Sequence, residues 1–136
     1  MEMTRWRKKK PSSRVLFVLG GASSGKSDAA LRLAVKGIRP TAARAFVATG
    51  QALDQEMAQR IVRHRSSRPA SWVTAEVPLD LTGWIERHGG KHRVIVVDCV
   101  TMWLSNQFGR GRGDAGIVRD MQRVLGAARR TKARIV

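Results

Sequence analysis

Five apolar residues, Val15–Leu19, run straight into Gly20-Gly21-Ala22-Ser23-Ser24-Gly25-Lys26-Ser27. That octet fits G-x-x-x-x-G-K-[S/T], and nothing else in the 136 residues limits the fold so strongly. The pattern works only between a strand and a helix. Glycines let successive backbone N–H groups converge on one anion. The helix that begins at Lys26 adds the positive end of its dipole. Lys26 is placed to reach the β- and γ-phosphates of a nucleotide, and the Ser27 hydroxyl to ligate Mg²⁺. The partner expected for such a loop is an acid at the end of a buried strand, and Val94-Ile95-Val96-Val97-Asp98 supplies one. The two motifs specify a nucleoside triphosphate without specifying its reaction.

Both flanks of the loop are present. Val15–Leu19 is apolar and β-branched, as a buried central strand is. Lys26 to about Val35 reads as a helix with Ala29, Ala30, Leu33 and Ala34 on one side, stopped by Gly37 and Pro40. Ala45–Thr49 is a second strand. Asp54 to about Arg65 reads as a helix carrying Leu53, Met57 and Ile61 at four-residue spacing, ended by Arg68-Pro69. Trp72–Val77 is a third strand, Leu79–His88 a helix broken by Gly89-Gly90, and Arg93–Val97 a fourth strand. Gly109–Gly113 and Gly116 read as a flexible loop. Ile117 to about Arg129 is amphipathic, with Ile117, Met121, Val124, Leu125 and Ala128 on one face. Ala133–Val136 reads as the opening of one more buried strand, as though the chain stopped short. Strands alternating with helices imply βαβ units, hence a parallel sheet with helices on both faces.

Length and composition remove other classes. A chain of 136 residues is one domain, and 43% apolar with 26% charged residues is globular usage. No stretch approaches the ~20 apolar residues of a membrane span, and no signal-peptide core follows the basic start. Cys99 is a lone cysteine, which fits a reducing cytoplasm. The charge is unusual: 26 basic residues against 10 acidic ones, net +16. It concentrates in residues 1–14, read as a disordered basic tail ahead of a domain at 15–136, and in residues 110–136. Solvated surface accounts for such runs more readily than a nucleic-acid partner does, and a pocket for anionic substrates attracts the same residues.

Further motifs narrow the class. The chain reads Phe46-Val47-Ala48-Thr49-Gly50-Gln51-Ala52-Leu53-Asp54-Gln55-Glu56-Met57, then Arg60-Ile61-Val62-Arg63-His64-Arg65, Arg68-Pro69, Trp72-Val73-Thr74-Ala75-Glu76, and Asp98-Cys99-Val100-Thr101-Met102-Trp103-Leu104-Ser105-Asn106. With the phosphate loop these resemble, in order, the bifunctional adenosylcobinamide kinase / adenosylcobinamide-phosphate guanylyltransferase family of cobalamin biosynthesis. The resemblance runs from about Val15 to Val136. It implies an α/β fold of the P-loop NTPase, RecA-like kind: three layers, α/β/α, around a mainly parallel sheet. It implies a homotrimer that phosphorylates adenosylcobinamide with ATP or GTP and then passes GMP from GTP to the adenosylcobinamide phosphate.

The resemblance also assigns residues. The guanylylated histidine falls on His64. Nucleotide contacts fall on Gly20, Gly21, Ala22, Ser23, Ser24, Gly25, Lys26 and Ser27, on Ala48, Thr49 and Gly50, on Arg65, Ser66, Ser67 and Arg68, on Glu76 and on Asp98. Mg²⁺ falls to Ser27 and Asp98. Imidazole is a competent nucleophile at phosphorus, and Arg63, Arg65 and Arg68 supply neighbouring positive charge. On its helix alone, His64 reads equally as a packed, hydrogen-bonded residue. His88 and His92 read as surface residues, Cys99 as a small buried filler, and Trp72, Trp84 and Trp103 as core. Ser23 stands where the family has arginine and Gly50 where a small polar residue is common. The family pattern also continues beyond Val136, so the C-terminal part of its domain is missing here. The readings that compete are a plain small-molecule kinase, which needs no covalent histidine, an inactive nucleotide-binding fragment, and a non-catalytic basic nucleic-acid-binding protein.

Overall fold

The computed structural model describes residues 15–21, 23–51, 55–56, 59 and 71–136. Its elements run α1 (Lys26–Val35), β1 (Arg44–Ala48), β2 (Val73–Glu76), α2 (Leu81–His88), a 3₁₀ turn (Gly89–Lys91), β3 (Val94–Asp98), α3 (Val100–Gly109), α4 (Asp114–Arg130) and β4 (Arg134–Ile135). The strands form one parallel sheet in the order β2-β1-β3-β4. Val15 bridges Ile135 in parallel, and the Leu16 amide donates to the Ile135 carbonyl at 2.8 Å. β4 therefore separates the phosphate-loop arm from the strand that carries Asp98, the RecA-like arrangement.

The period of two decides what each face buries. Ala45, Val47, Ile95 and Ile135 point to one side, where Leu81, Trp84 and Ile85 of α2, Trp103 of α3, and Ala127 and Ala128 of α4 cover them. Phe46, Ala48, Val94, Val96 and Val136 point to the other, against Ala30 and Ala34 of α1 and Trp72. Three layers result. β3 lies inside the sheet with both faces covered, which is why it has no polar alternation. Each fully buried Val or Ile there contributes roughly 1.5–3 kcal/mol of transfer free energy.

Cap chemistry sets the element ends. The Asp80 carboxylate accepts from the Gly83 amide at 2.9 Å, so α2 starts at Leu81, two residues after the Leu79 expected from the sequence. The C-terminal carbonyls of α1 are met from across the chain: Arg134 donates to the carbonyls of Leu33, Ala34 and Lys36 at 3.3, 3.0 and 2.7 Å.

Several expectations change. Val15–Leu19 is not a buried central strand: it lies at the edge of the described sheet, beyond β4, with Phe17 65% and Leu19 81% exposed. Only Leu16 and Val18 pack against the α1 layer. Residues 100–109, read only as a motif, form α3. Gly116 sits inside α4, not in a loop. Leu33 is largely exposed, and Ala30 and Ala34 are the buried contacts of α1. His88 and His92 are half-buried against Trp84, with ring centroids 5.2 and 6.1 Å away. Cys99 is half-buried as well. The three tryptophans expected in the core are there. The basic tail and most of the helix expected at 54–65 lie outside the described residues.

Candidate nucleotide site

The phosphate loop is built from backbone torsions that side chains disfavour. Gly25, at the N-cap of α1, has φ 82, and a Cβ on Gly20 would stand 2.6 Å from Ser24 Oγ and 2.9 Å from Lys26 Cγ. Ser23 accepts a left-handed φ of 56. Lys26 Nζ donates to the Gly21 carbonyl at 2.9 Å, which holds the ammonium over the loop that a phosphate would enter. Neither side chain nor loop makes the site alone. Ser27 Oγ donates to Asp98 Oδ2 at 3.0 Å, joining the first turn of α1 to the C-terminal end of β3.

Register explains why Asp98 is in reach. Ala48 pairs with Glu76 on one side and with Asp98 on the other, so the last residues of β2, β1 and β3 form one line across the C-terminal edge of the sheet. Ligands of open α/β sheets bind at that edge. Glu76 is exposed there, Ala48 is buried and Gly50 half-buried. Thr49 is fully buried, and its hydroxyl accepts from the Cys99 amide at 3.0 Å and donates to the Cys99 carbonyl at 2.6 Å. The Asp98–Cys99 peptide is cis. The structure thus brings Gly20, Gly21, Ser23, Ser24, Gly25, Lys26, Ser27, Ala48, Thr49, Gly50, Glu76 and Asp98 to one edge. Ala22, His64, Arg65, Ser66, Ser67 and Arg68 lie outside the described residues.

A cavity of about 170 Å³ adjoins the loop. Phe17, Leu81, Ile85 and Met121 line it, with Ser27 and Asp98 at its polar side. Its apolar walls offer phosphates nothing, so anion binding falls to the loop amides, Lys26 and a cation. The donors fit Mg²⁺. One hydroxyl and one carboxylate are hard oxygens, and Mg²⁺ takes one or two protein oxygens and completes its shell with phosphates and water. Among the described residues no group of three His, Cys, Asp or Glu side chains could cage a metal by itself.

Sequence reasoning missed what surrounds this edge. Asn106 and Gln107 are buried polar residues of α3. Asn106 Nδ2 donates to the carbonyls of Thr49 and Pro78 at 2.7 and 2.9 Å. Trp103 Nε1 and Gln107 Nε2 both donate to the Leu79 carbonyl, at 2.8 and 3.2 Å. The signal was available: Asn-Gln following an apolar Trp-Leu on one helical turn marks polar groups that must find buried partners.

A parallel sheet between helical layers, a phosphate loop at its edge, and an acid hydrogen-bonded to the loop's serine define a P-loop nucleotide-binding protein. Within that class the assignment is specific. The model of the cobinamide kinase / cobinamide phosphate guanyltransferase family matches residues 16–136, and the chain belongs to that family. It is 46% identical over 90 residues to the bifunctional adenosylcobalamin biosynthesis protein CobP of Pseudomonas aeruginosa, covering 66% of this chain and 50% of that protein. It is 32% identical over 134 residues to CobU of Escherichia coli, with 90% of this chain and 72% of that protein covered. Its match to CobU of Salmonella typhimurium is 38% over 92 residues, covering 68% and 49%. The chain thus spans about half the length of two of these relatives. Among the described residues no helix is long and apolar enough to cross a membrane.

Proposed function

We propose that this chain carries out the family's two reactions. It phosphorylates the aminopropanol hydroxyl of adenosylcobinamide with ATP or GTP. It then transfers GMP from GTP to the resulting phosphate, giving adenosylcobinamide-GDP. The observation that carries the nucleotide part is the 3.0 Å contact of Ser27 with Asp98 beside the Lys26 loop. The loop amides and Lys26 would bind the β- and γ-phosphates and orient the γ-phosphorus toward the acceptor hydroxyl. Ser27 and Asp98 would hold Mg²⁺, which supplies charge neutralisation on those phosphates when bound. Positioning and electrostatics are most of what phosphoryl transfer needs.

The guanylyl step rests on the family pattern around His64. A neutral imidazole nitrogen attacks the α-phosphorus of GTP. An N–P bond forms as the bond to pyrophosphate breaks, and pyrophosphate leaves. The phosphate oxygen of adenosylcobinamide phosphate then attacks the same phosphorus and releases the histidine. Arg65 and Arg68, with Ser66 and Ser67, are the proposed contacts of that nucleotide, and Glu76 lies on the same sheet edge. The proposed assembly is a homotrimer working in the cytoplasm.

The test is incubation with α-labelled GTP followed by acid treatment of the protein. Acid-labile label in the parent and none in His64→Ala is the expected result, with at least part of the kinase step retained. Label retained in the Ala variant moves the covalent site elsewhere. A parent that turns over triphosphate without labelling is a kinase alone.

A further inference from the structure

Asp98 is the last residue of β3, and regular strand pairing stops with it. Its carboxylate must nevertheless stay within 3.0 Å of Ser27. On its far side the backbone is held by Thr49 and by the first turn of α3, whose Trp103 amide donates to the Cys99 carbonyl at 3.2 Å. Thr49 Oγ1 accepts from the Cys99 amide and donates to the Cys99 carbonyl, and the Thr49 amide donates to the Asp98 carbonyl at 3.1 Å. Three hydrogen bonds from a fully buried residue thus grip the dipeptide that carries the carboxylate. Thr49 is itself gripped. Both donations of Asn106 Nδ2 run to backbone carbonyls, one to Thr49 and one to Pro78, and Asn106 is 5% exposed. The segments after β1 and β2, at Thr49 and Pro78, and through Thr49 the end of β3, are thereby tied to α3.

We infer that Thr49 and Asn106 are positioning residues, a relay from α3 through β1 that sets the Asp98 carboxylate against Ser27 for the cation of the bound nucleotide. This rests on the nucleotide-and-Mg²⁺ reading of the site. The Thr49 hydroxyl has its donor and its acceptor engaged by Cys99, so it acts through that backbone and not on a phosphate. Asn106 makes its side-chain link to that backbone through the Thr49 carbonyl, beside the covalent link of its own helix, which starts at Val100. Partners one step removed from a metal ligand commonly change metal affinity by about 10–100-fold when altered.

The experiment measures binding of a fluorescent GTP analogue across a Mg²⁺ titration and again in EDTA, with thermal melts alongside. Thr49→Val keeps the shape and removes the hydroxyl, Thr49→Ser keeps the hydroxyl, and Asn106→Ala removes the second link. Thr49→Val and Asn106→Ala are expected to raise the half-saturating Mg²⁺ by about tenfold. Affinity of Asn106→Ala in EDTA should stay close to the parent's, and the Mg²⁺ curve of Thr49→Ser should lie nearer the parent's than that of Thr49→Val. Lower melting temperatures with unmoved Mg²⁺ curves would overturn the inference, because that is what a merely structural contact gives. If Thr49→Val does not fold, Asn106→Ala and Thr49→Ser decide in the same way. A parent with no Mg²⁺-dependent nucleotide binding overturns the reading of the site and the relay with it. A parent with normal Mg²⁺ dependence and unresponsive variants overturns the relay alone.

Discussion

Ser27 and Asp98 lie 71 positions apart in sequence, yet the chemistry proposed here turns on the one hydrogen bond between them. Their roles separate by charge. Lys26→Ala deletes an ammonium while leaving the loop's amides, so it should weaken triphosphate binding by about 1.5–3 kcal/mol, the range for a hydrogen bond to a charged group. Calorimetric titration with GTP checks this, and an unchanged affinity in a folded variant would remove Lys26 from the phosphate site. Asp98→Asn retains the acceptor for Ser27 and nearly the same shape, so the fold should persist while Mg²⁺ dependence is lost. Coincident Mg²⁺ titrations for Asn and Asp forms would leave Asp98 a structural end to its strand. The loop and Asp98 were legible in sequence because each is a contiguous pattern with required flanks. The Thr49–Asn106 link was not, since two residues 57 apart share no spacing rule and meet only once α3 is docked. The reading of His64 rests on the family motif alone, since the residue lies outside the described residues.

Elements are joined by groups their own sequences do not advertise. Arg134, on the two-residue β4, supplies the last carbonyls of α1, the helix whose other end is the phosphate loop. Its cation also sits at the negative end of that helix dipole. Arg134→Ala should cost about 1–2 kcal/mol in urea unfolding, as a charge-assisted cap would. A midpoint unmoved by the substitution would mean water serves those carbonyls equally well. The turn after α2 carries a second device. His92 stacks on Trp84, and its buried Nδ1 has no hydrogen-bond partner among the described residues. Burial first, then the nearby His88 and Lys91 charges, hold its pKa below the ordinary 6.5. The unfolded chain therefore takes up a proton at a pH where the folded chain does not. The stability that neutral His92 contributes is complete above about pH 6.5 and declines as pH falls below it. Urea midpoints from pH 8 to pH 5 should drop less in His92→Phe than in the parent; equal slopes would assign the loss to other groups. Strand positions could be read because apolar β-branched runs have few other uses. α3 could not, because its sequence mixes Trp103, Asn106 and Gln107 on buried positions and leaves Phe108 55% exposed, so no clean apolar stripe exists. The arm at 15–19 looked central because its composition suits two covered faces, whereas in the described sheet it has one neighbour, β4.

For the whole molecule the deciding quantity is a net charge of +16 on 136 residues. Self-repulsion of that size opposes the compact state, and it is long-ranged in water of low ionic strength. Acting against it are exposed ion pairs, among them Arg112–Asp120, Arg123–Asp120, Arg130–Glu86 and Arg87–Asp80. Salt screens both, so the direction of its effect shows which is larger. Exposed pairs contribute about 0–1 kcal/mol each. Every basic residue beyond the acidic ones feels the summed field of the rest until the Debye length shrinks to about 8 Å at physiological ionic strength. Repulsion should win. The melting temperature is expected to rise between 10 and 150 mM NaCl, most steeply at the low end. The same screening should weaken the attraction of the basic molecule for a triphosphate, so nucleotide affinity should fall over the range in which stability climbs. Melts and titrations on one set of salt concentrations test both trends. A melting temperature that falls with salt would mean the ion pairs outweigh the repulsion. A nucleotide affinity independent of salt would place binding in the local contacts of Lys26 and the loop amides, with no contribution from the molecule's overall field.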